Sequence, residues 1–455
     1  MNKRRLLSGF IMLLMCAAYF PPSAANALDI TKERLPNGLT VVHVQRHELP
    51  IVMATLIVKA SQLEEAPSKA GMAYLTAKML TEGTATRKGA DISREIEFIG
   101  GSLDSAANND FTTVSLSVLK KDADKGFDLL SDIVLHPSFP ADELARKKEL
   151  LKGSLKQKEE EPSFIANREF IKDLFGDHPY GRLVEGSVQS ISTIEKADVS
   201  NFYDAFYKPE NSILTIVGDL NHDELEGVLK RYFSAWKASE KEAEKISLQK
   251  TPELKQPRIE VIDRDITQAN IFFGGPGISR DDPEYYSVQV MNYIFGGGGF
   301  ASRLMKVIRD EMGLTYSINS FFAANKYPGR FEVEVQTKNE SAGSVIEEML
   351  KQIRLIRAEP VSDEELRYAK DYLTGSFPRR METSRKTADF LAAVQFYNLG
   401  DDYIDNYKDY IGRVTREDVL RVARKYLSDE NYVLVVVGNK KKLVLDCRGR
   451  ACPAQ

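Results

Sequence analysis

The side chains that could run hydrolysis in this sequence are few and poorly spaced for it. Of the five histidines, His43, His47, His136, His178 and His222, only His43 and His47 have the H-x3-H spacing, and they fall in and just after the strand-like run 39–45 rather than on one helix face. His47-Glu48 opens H-E-L-P, which lacks the second histidine of H-E-x-x-H. His178 stands in H-P-Y-G-R with no companion ligand, so it reads as a loop residue bonded to backbone. No G-x-S-x-G is present to raise a nucleophilic serine. The glycines Gly296–Gly299 could cradle a phosphate, but no Lys-Ser/Thr follows them. The acidic run Glu159–Glu161 reads as a solvated face.

Two phrases are more specific than any of these. One is GMAYLTAKMLTEGT (71–84), a helical stretch closed by Gly83; the other is FGGGGFASRLMKVIRDEMGLTYSINSFF (295–322). With their surroundings they resemble the pitrilysin, or inverzincin, metallopeptidases, a family that includes the mitochondrial processing peptidase. The resemblance covers about residues 28–440. In that family the first phrase carries H-x-x-E-H, two zinc-binding histidines one turn apart and a glutamate that activates water. Here those positions are Tyr74, Ala77 and Lys78. The third ligand, a carboxylate about 76 residues further on, falls on Ser154, with Gly153 beside it. None of these side chains can replace the ligands, so the resemblance implies that this chain binds no catalytic zinc and is inactive alone.

The second phrase resembles the family's substrate-binding signature, a glycine-rich turn, S-R-L, and an R-x6-Y pair ending in G-L-x-Y-S. Arg309 and Tyr316 fall on the pair. In the family the pair reaches across a cavity to the zinc site, where guanidinium and phenol bond the substrate backbone and steady the developing oxyanion. Fixed donors at that oxygen are worth ~3–4 kcal/mol each. A chain with the pair and without the metal site matches the non-catalytic member of a heterodimeric peptidase. Its partner, a homologous H-x-x-E-H subunit, is then expected to hold zinc and the general base. Peptides or unfolded polypeptides are the expected substrates. The alternative is a peptide-binding or scaffold protein with no proteolytic role.

The elements that must position these residues repeat at roughly 220 residues. STIEKADVSNFYDAFYKPENSILTIVGDL (192–220) runs parallel to GRVTREDVLRVARKYLSDENYVLVVVGNK (412–440), and each ends in an apolar strand closed by Gly218 or Gly438. DELARKKELLKGSL (142–155) matches DEELRYAKDYLTGSF (363–377) in the same way. Strands are expected at 39–45, 51–58, 112–118 and 213–217, mixed with long helices. The fold class is therefore α+β: two homologous domains, each a mostly antiparallel sheet with helices packed on it. The resemblance implies that they face each other across a cavity. The domains are expected at 28–236 and 258–440, joined by a charged linker at 237–257 and followed by a tail at 441–455.

Composition sets the compartment. Lys3, Arg4 and Arg5, the apolar run from Leu6 to Phe20 and Ala25-Asn26-Ala27 have the layout of a cleaved signal peptide over residues 1–27. A membrane anchor would need ~20 apolar residues, and Pro21-Pro22 interrupts the run. Met15 before Cys16 is too bulky for a lipoprotein site. The mature chain is expected to be exported, and periplasmic in a bacterium, with no stable membrane span. Cys447 and Cys452 form C-x4-C without a second ligand pair, so a local disulfide worth ~2 kcal/mol is expected in an oxidising compartment. A net charge of −4 with dispersed basic residues gives no nucleic-acid footprint.

Overall fold

The computed structural model describes residues 28–239, 248 and 250–445. The signal segment 1–27, most of the linker and the pair Cys447/Cys452 lie outside the described residues. Among the described residues eleven strands form two sheets. The first contains β1 (Ile30–Arg34), β2 (Thr40–Gln45), β3 (Ile51–Val58), β4 (Ser102–Ala107), β5 (Thr112–Leu119) and β6 (Ser212–Gly218), in the order β1-β2-β6-β3-β5-β4. The second contains β7 (Arg258–Asp263), β8 (Gln268–Pro276), β9 (Thr315–Ala323), β10 (Arg330–Lys338) and β11 (Val433–Gly438), in the order β7-β11-β8-β10-β9. Each sheet is antiparallel except for one parallel pair, β2 with β6 and β7 with β11.

Strand sequences follow what each face meets. In β5 the residues Thr112, Val114, Leu116 and Val118 are buried and their neighbours are not, the period of two expected of a strand with one face on a core. β6 and β11 are buried at every position and accordingly read as continuous apolar runs. Both faces of those central strands are covered.

The second cover comes from the other half of the chain. The helix Pro162–Phe175 follows the first sheet in sequence but packs on β8 and β11 of the second. Its Ile165, Phe170 and Leu174 bury against Phe272, Val433 and Val435, and the Phe170 and Phe272 rings lie 6.1 Å apart. Reciprocally, the helix Ser384–Phe396 packs on β3 and β6. Its Ala388 and Leu391 meet Val42, Val44 and Val217, and its Ala392 and Phe396 meet Ile57 and Ile213. Asp389 in that helix accepts a 2.7 Å hydrogen bond from the Thr55 hydroxyl in β3. Each buried Leu or Phe side chain contributes ~1.5–3 kcal/mol, so this exchange makes the two halves interdependent.

Candidate functional site

The helix Met72–Met79 carries Tyr74, Ala77 and Lys78, the three residues that the resemblance sets against the zinc motif. It begins after Gly71, whose φ of 94° and close approach to Glu185 O, 2.5 Å from a would-be Cβ, exclude any side chain. The free N–H groups of this first turn are met by the buried carboxylate of Glu65, which accepts from Gly71 N at 3.0 Å and Ala73 N at 2.7 Å. Burial pushes the Glu65 carboxyl up to about 8, against the pull of those two N–H groups and of Arg182.

On this helix Tyr74 and Lys78 are half-buried one turn apart, and Ala77 is wholly enclosed. The Lys78 ammonium donates to Ser105 O in β4 at 2.9 Å and stands 5.7 Å from the Tyr74 ring centre. Ser105 Oγ returns a 2.5 Å bond to Ala77 O. Ser154 is exposed on the helix Ala141–Lys158, where Gly153 also faces open space. One turn beyond it, Lys158 pairs with Glu185 at 2.9 Å. Burial and the Glu185 charge push the Tyr74 phenol up, so it stays protonated. Zinc does not fit here: a bonded ammonium, an enclosed methyl and a neutral phenol offer neither the charge nor the lone pairs that it requires. Among the described residues no three His, Cys, Asp or Glu side chains gather in a way that could hold a metal ion. His178 is buried, and its Nδ1 accepts from Tyr180 N at 3.1 Å, which makes it a loop cap.

Tyr74 opens onto a cavity of about 390 Å³ between the two halves. From the first half it is lined by Asn108, Asn109 and Glu185, among others, and from the second by Asn325 and Tyr397. At its margin lies Asp110, 3% exposed. The Asp110 carboxylate accepts from the hydroxyls of Tyr180 and Tyr397 and from Lys326 N, the last two at 2.7 and 2.9 Å. One buried charge thus joins the β4–β5 loop, the H-P-Y-G-R loop, the β9–β10 loop and the end of the exchanged helix. The turn phrase Asn108-Asn109-Asp110 was its only sequence signal, and Tyr397 had none.

Arg309 and Tyr316 are adjacent. One wide π-type helical turn, Tyr293–Gly297, takes in the first two glycines of the run, and a second, Met305–Glu311, follows it. Gly296 lets the first of these close on β9, since a Cβ there would lie 2.5 Å from Ser320 Oγ. Arg309 Nε donates to Tyr316 O at 3.0 Å and its Nη1 to Asp310 at 2.6 Å, while the guanidinium stands 4.8 Å from the Phe300 ring centre. Among the described residues Nη2 makes no hydrogen bond. The Tyr316 side chain is not packed; it is 89% exposed, with Phe300 beside the pair 70% exposed. Neither Arg309 nor Tyr316 lines the cavity at Tyr74. The structure brings together Tyr74 with Lys78, and Arg309 with Tyr316, but does not join the two pairs in one site.

Comparison with known proteins agrees with this architecture. Residues 40–187 match the family model for insulinase (peptidase family M16), and residues 193–373 match that for the peptidase M16 inactive domain. An uncharacterized zinc protease of Rickettsia bellii is 25% identical over 409 residues, 89% of this chain and 97% of the relative. Another, of Mycobacterium bovis, is 26% identical over 428 residues, 92% of this chain and 95% of the relative. The crystal structure of a peptidase M16 inactive domain from Pseudomonas fluorescens superposes with a TM-score of 0.84 at 29% identity, covering 91% of this chain and 99% of that one. A protease from Helicobacter pylori shares the fold at a TM-score of 0.84 and 19% identity, over 90% of this chain and all of that one. The chain belongs to the M16, or pitrilysin, family of peptidases, as an inactive-type homologue.

Proposed function

We propose that this chain is the non-catalytic, substrate-binding subunit of an exported heterodimeric zinc peptidase that acts on peptides or unfolded polypeptides. The observation that carries this reading is the outward Arg309–Tyr316 pair, held by the chain's own backbone and absent from the lining of its own cavity. Its donors are positioned for a ligand that the chain does not itself enclose. The partner, a homologue with H-x-x-E-H, supplies zinc, its ligands and the general base. Arg309 Nη2 and the Tyr316 hydroxyl then donate to the substrate backbone and to the carbonyl oxygen that gains charge. The signal-like segment at residues 1–27 supports export.

The test is steady-state kinetics of the complex reconstituted with the H-x-x-E-H subunit. Arg309→Ala or Tyr316→Phe should lower kcat by ~10²–10³ while leaving subunit association unchanged. The purified chain alone should hydrolyse no peptide. Unchanged kinetics in both variants would reject the catalytic complement and favour a scaffold that only captures peptides.

A further inference from the structure

An edge strand accepts another strand only through outward-facing N–H and C=O groups, and in an antiparallel pair those belong to every second residue. β4 is one of the two outer strands of the first sheet, the one beside the helix Met72–Met79, and its hairpin with β5 closes on the 2.9 Å bond from Asn108 N to Phe111 O. Counting back in twos along the register makes Ala106–Thr113 and Asp104–Ser115 the bonded pairs. Leu103, Ser105 and Ala107 therefore turn their backbone groups to the free edge. The middle one is occupied, because Lys78 Nζ donates to Ser105 O at 2.9 Å. The return bond from Ser105 Oγ to Ala77 O fastens the same residue to the helix a second time.

One outer strand of the second sheet, β9, is closed in a comparable way. Three alternate residues of β9 meet side chains: Tyr316 O accepts from Arg309 Nε at 3.0 Å, Ile318 N donates to Met305 Sδ at 3.4 Å, and Ser320 O accepts from Asn292 Nδ2 at 3.1 Å. Ser320 Oγ bonds back to Asn292 Oδ1 at 2.8 Å, as Ser105 does to its own helix. Unpaired edges invite strand addition, and side chains that take up the edge groups prevent it.

We infer that Lys78 is an internal plug that closes β4, the first-half edge strand beside its own helix, to extended polypeptides. The site beneath it is a latent strand-binding site for unstructured polypeptide backbone, with Leu103 and Ala107 as the open flanking groups. This deepens the proposed function, on whose peptide substrates it rests: the chain leaves the extended substrate to the partner's equivalent strand. Its test needs neither partner nor cleavage, so the two readings fail separately.

The experiment titrates the full mature chain into fluorescein-labelled, reduced and carboxymethylated α-lactalbumin and follows anisotropy. Lys78→Met keeps the apolar stem and removes the donor. It should bind the probe about tenfold or more tightly than wild type, the scale set by losing one hydrogen bond to a charged group. Adding Ala107→Pro removes an outward N–H without touching the β4–β5 ladder, and should cancel the gain. A folded Lys78→Met chain with wild-type affinity overturns the inference, as does a gain that survives the proline. Hydrogen exchange on the wild-type chain gives a check independent of any variant. At saturating probe the amides of Leu103, Ser105 and Ala107 should gain no protection, and protection there would also overturn it.

Discussion

The Asp110 carboxylate and the Tyr397 hydroxyl lie 2.7 Å apart although 287 residues separate them in sequence. The first belongs to a turn of the N-terminal sheet and the second closes the helix lent by the C-terminal half. Asp110 also holds the Tyr180 hydroxyl and Lys326 N, so three donors converge on one enclosed charge. Asp110→Asn turns an amide N–H₂ toward donors and leaves at least one of them unmet, which should cost on the order of 3 kcal/mol. Tyr397→Phe removes a single bond and should cost ~1 kcal/mol or somewhat more. Denaturant midpoints of the two variants test the order, and equal midpoints would remove Asp110 as the joint between the halves.

The helix exchange makes a second prediction. Phe170 is fully buried against the second sheet, although it belongs to the first half. Phe170→Ala should destabilise the protein by ~3–5 kcal/mol. The amides of Val433–Gly438 should then exchange faster than those of β5. Faster exchange confined to the first sheet would contradict the packing described above.

Glu65 gives a pH dependence with a definite sign. Burial raises its folded-state carboxyl from the ordinary 4.5 to about 8, so between those values the folded chain keeps a proton that the unfolded chain releases. That contribution to stability is complete below about pH 4.5 and is lost as pH rises toward 8. The melting temperature should therefore decline over this interval, and Glu65→Gln should flatten the decline whatever it does to the overall level. A slope unchanged by the substitution would assign the effect to other groups.

Rebuilding the metal site is a fourth test. In the variant Tyr74→His, Ala77→Glu, Lys78→His and Ser154→Glu, both histidines sit one turn apart on the half-buried face that Tyr74 and Lys78 now share. The carboxylate at residue 77 replaces a methyl that is wholly enclosed, so without metal the variant should melt below wild type. Added zinc should raise its melting temperature and leave wild type unmoved. No response in the folded variant would mean that Ser154 is not the third position.

Much of this protein is determined by short stretches of sequence. The alternation in β5, the continuous apolar runs of β6 and β11, and the repeat that relates the two halves are local patterns, and local patterns survive without knowledge of distant partners. The helix that carries Tyr74, Ala77 and Lys78 is legible for the same reason, and comparison of these residues with H-x-x-E-H needs nothing more than that helix. The adjacency of Arg309 and Tyr316 is likewise set within eight residues of chain. The apolar face of Pro162–Phe175 is also readable, but not the sheet that it covers. A helix stripe records that it must be buried, and only the competition among all available surfaces decides against what. The same holds for Asp110, whose three donors come from three separate segments. It holds for Lys78 as well, which reads as a lost ligand in sequence and becomes a bond to the outward carbonyl of Ser105 only when β4 lies beside its helix.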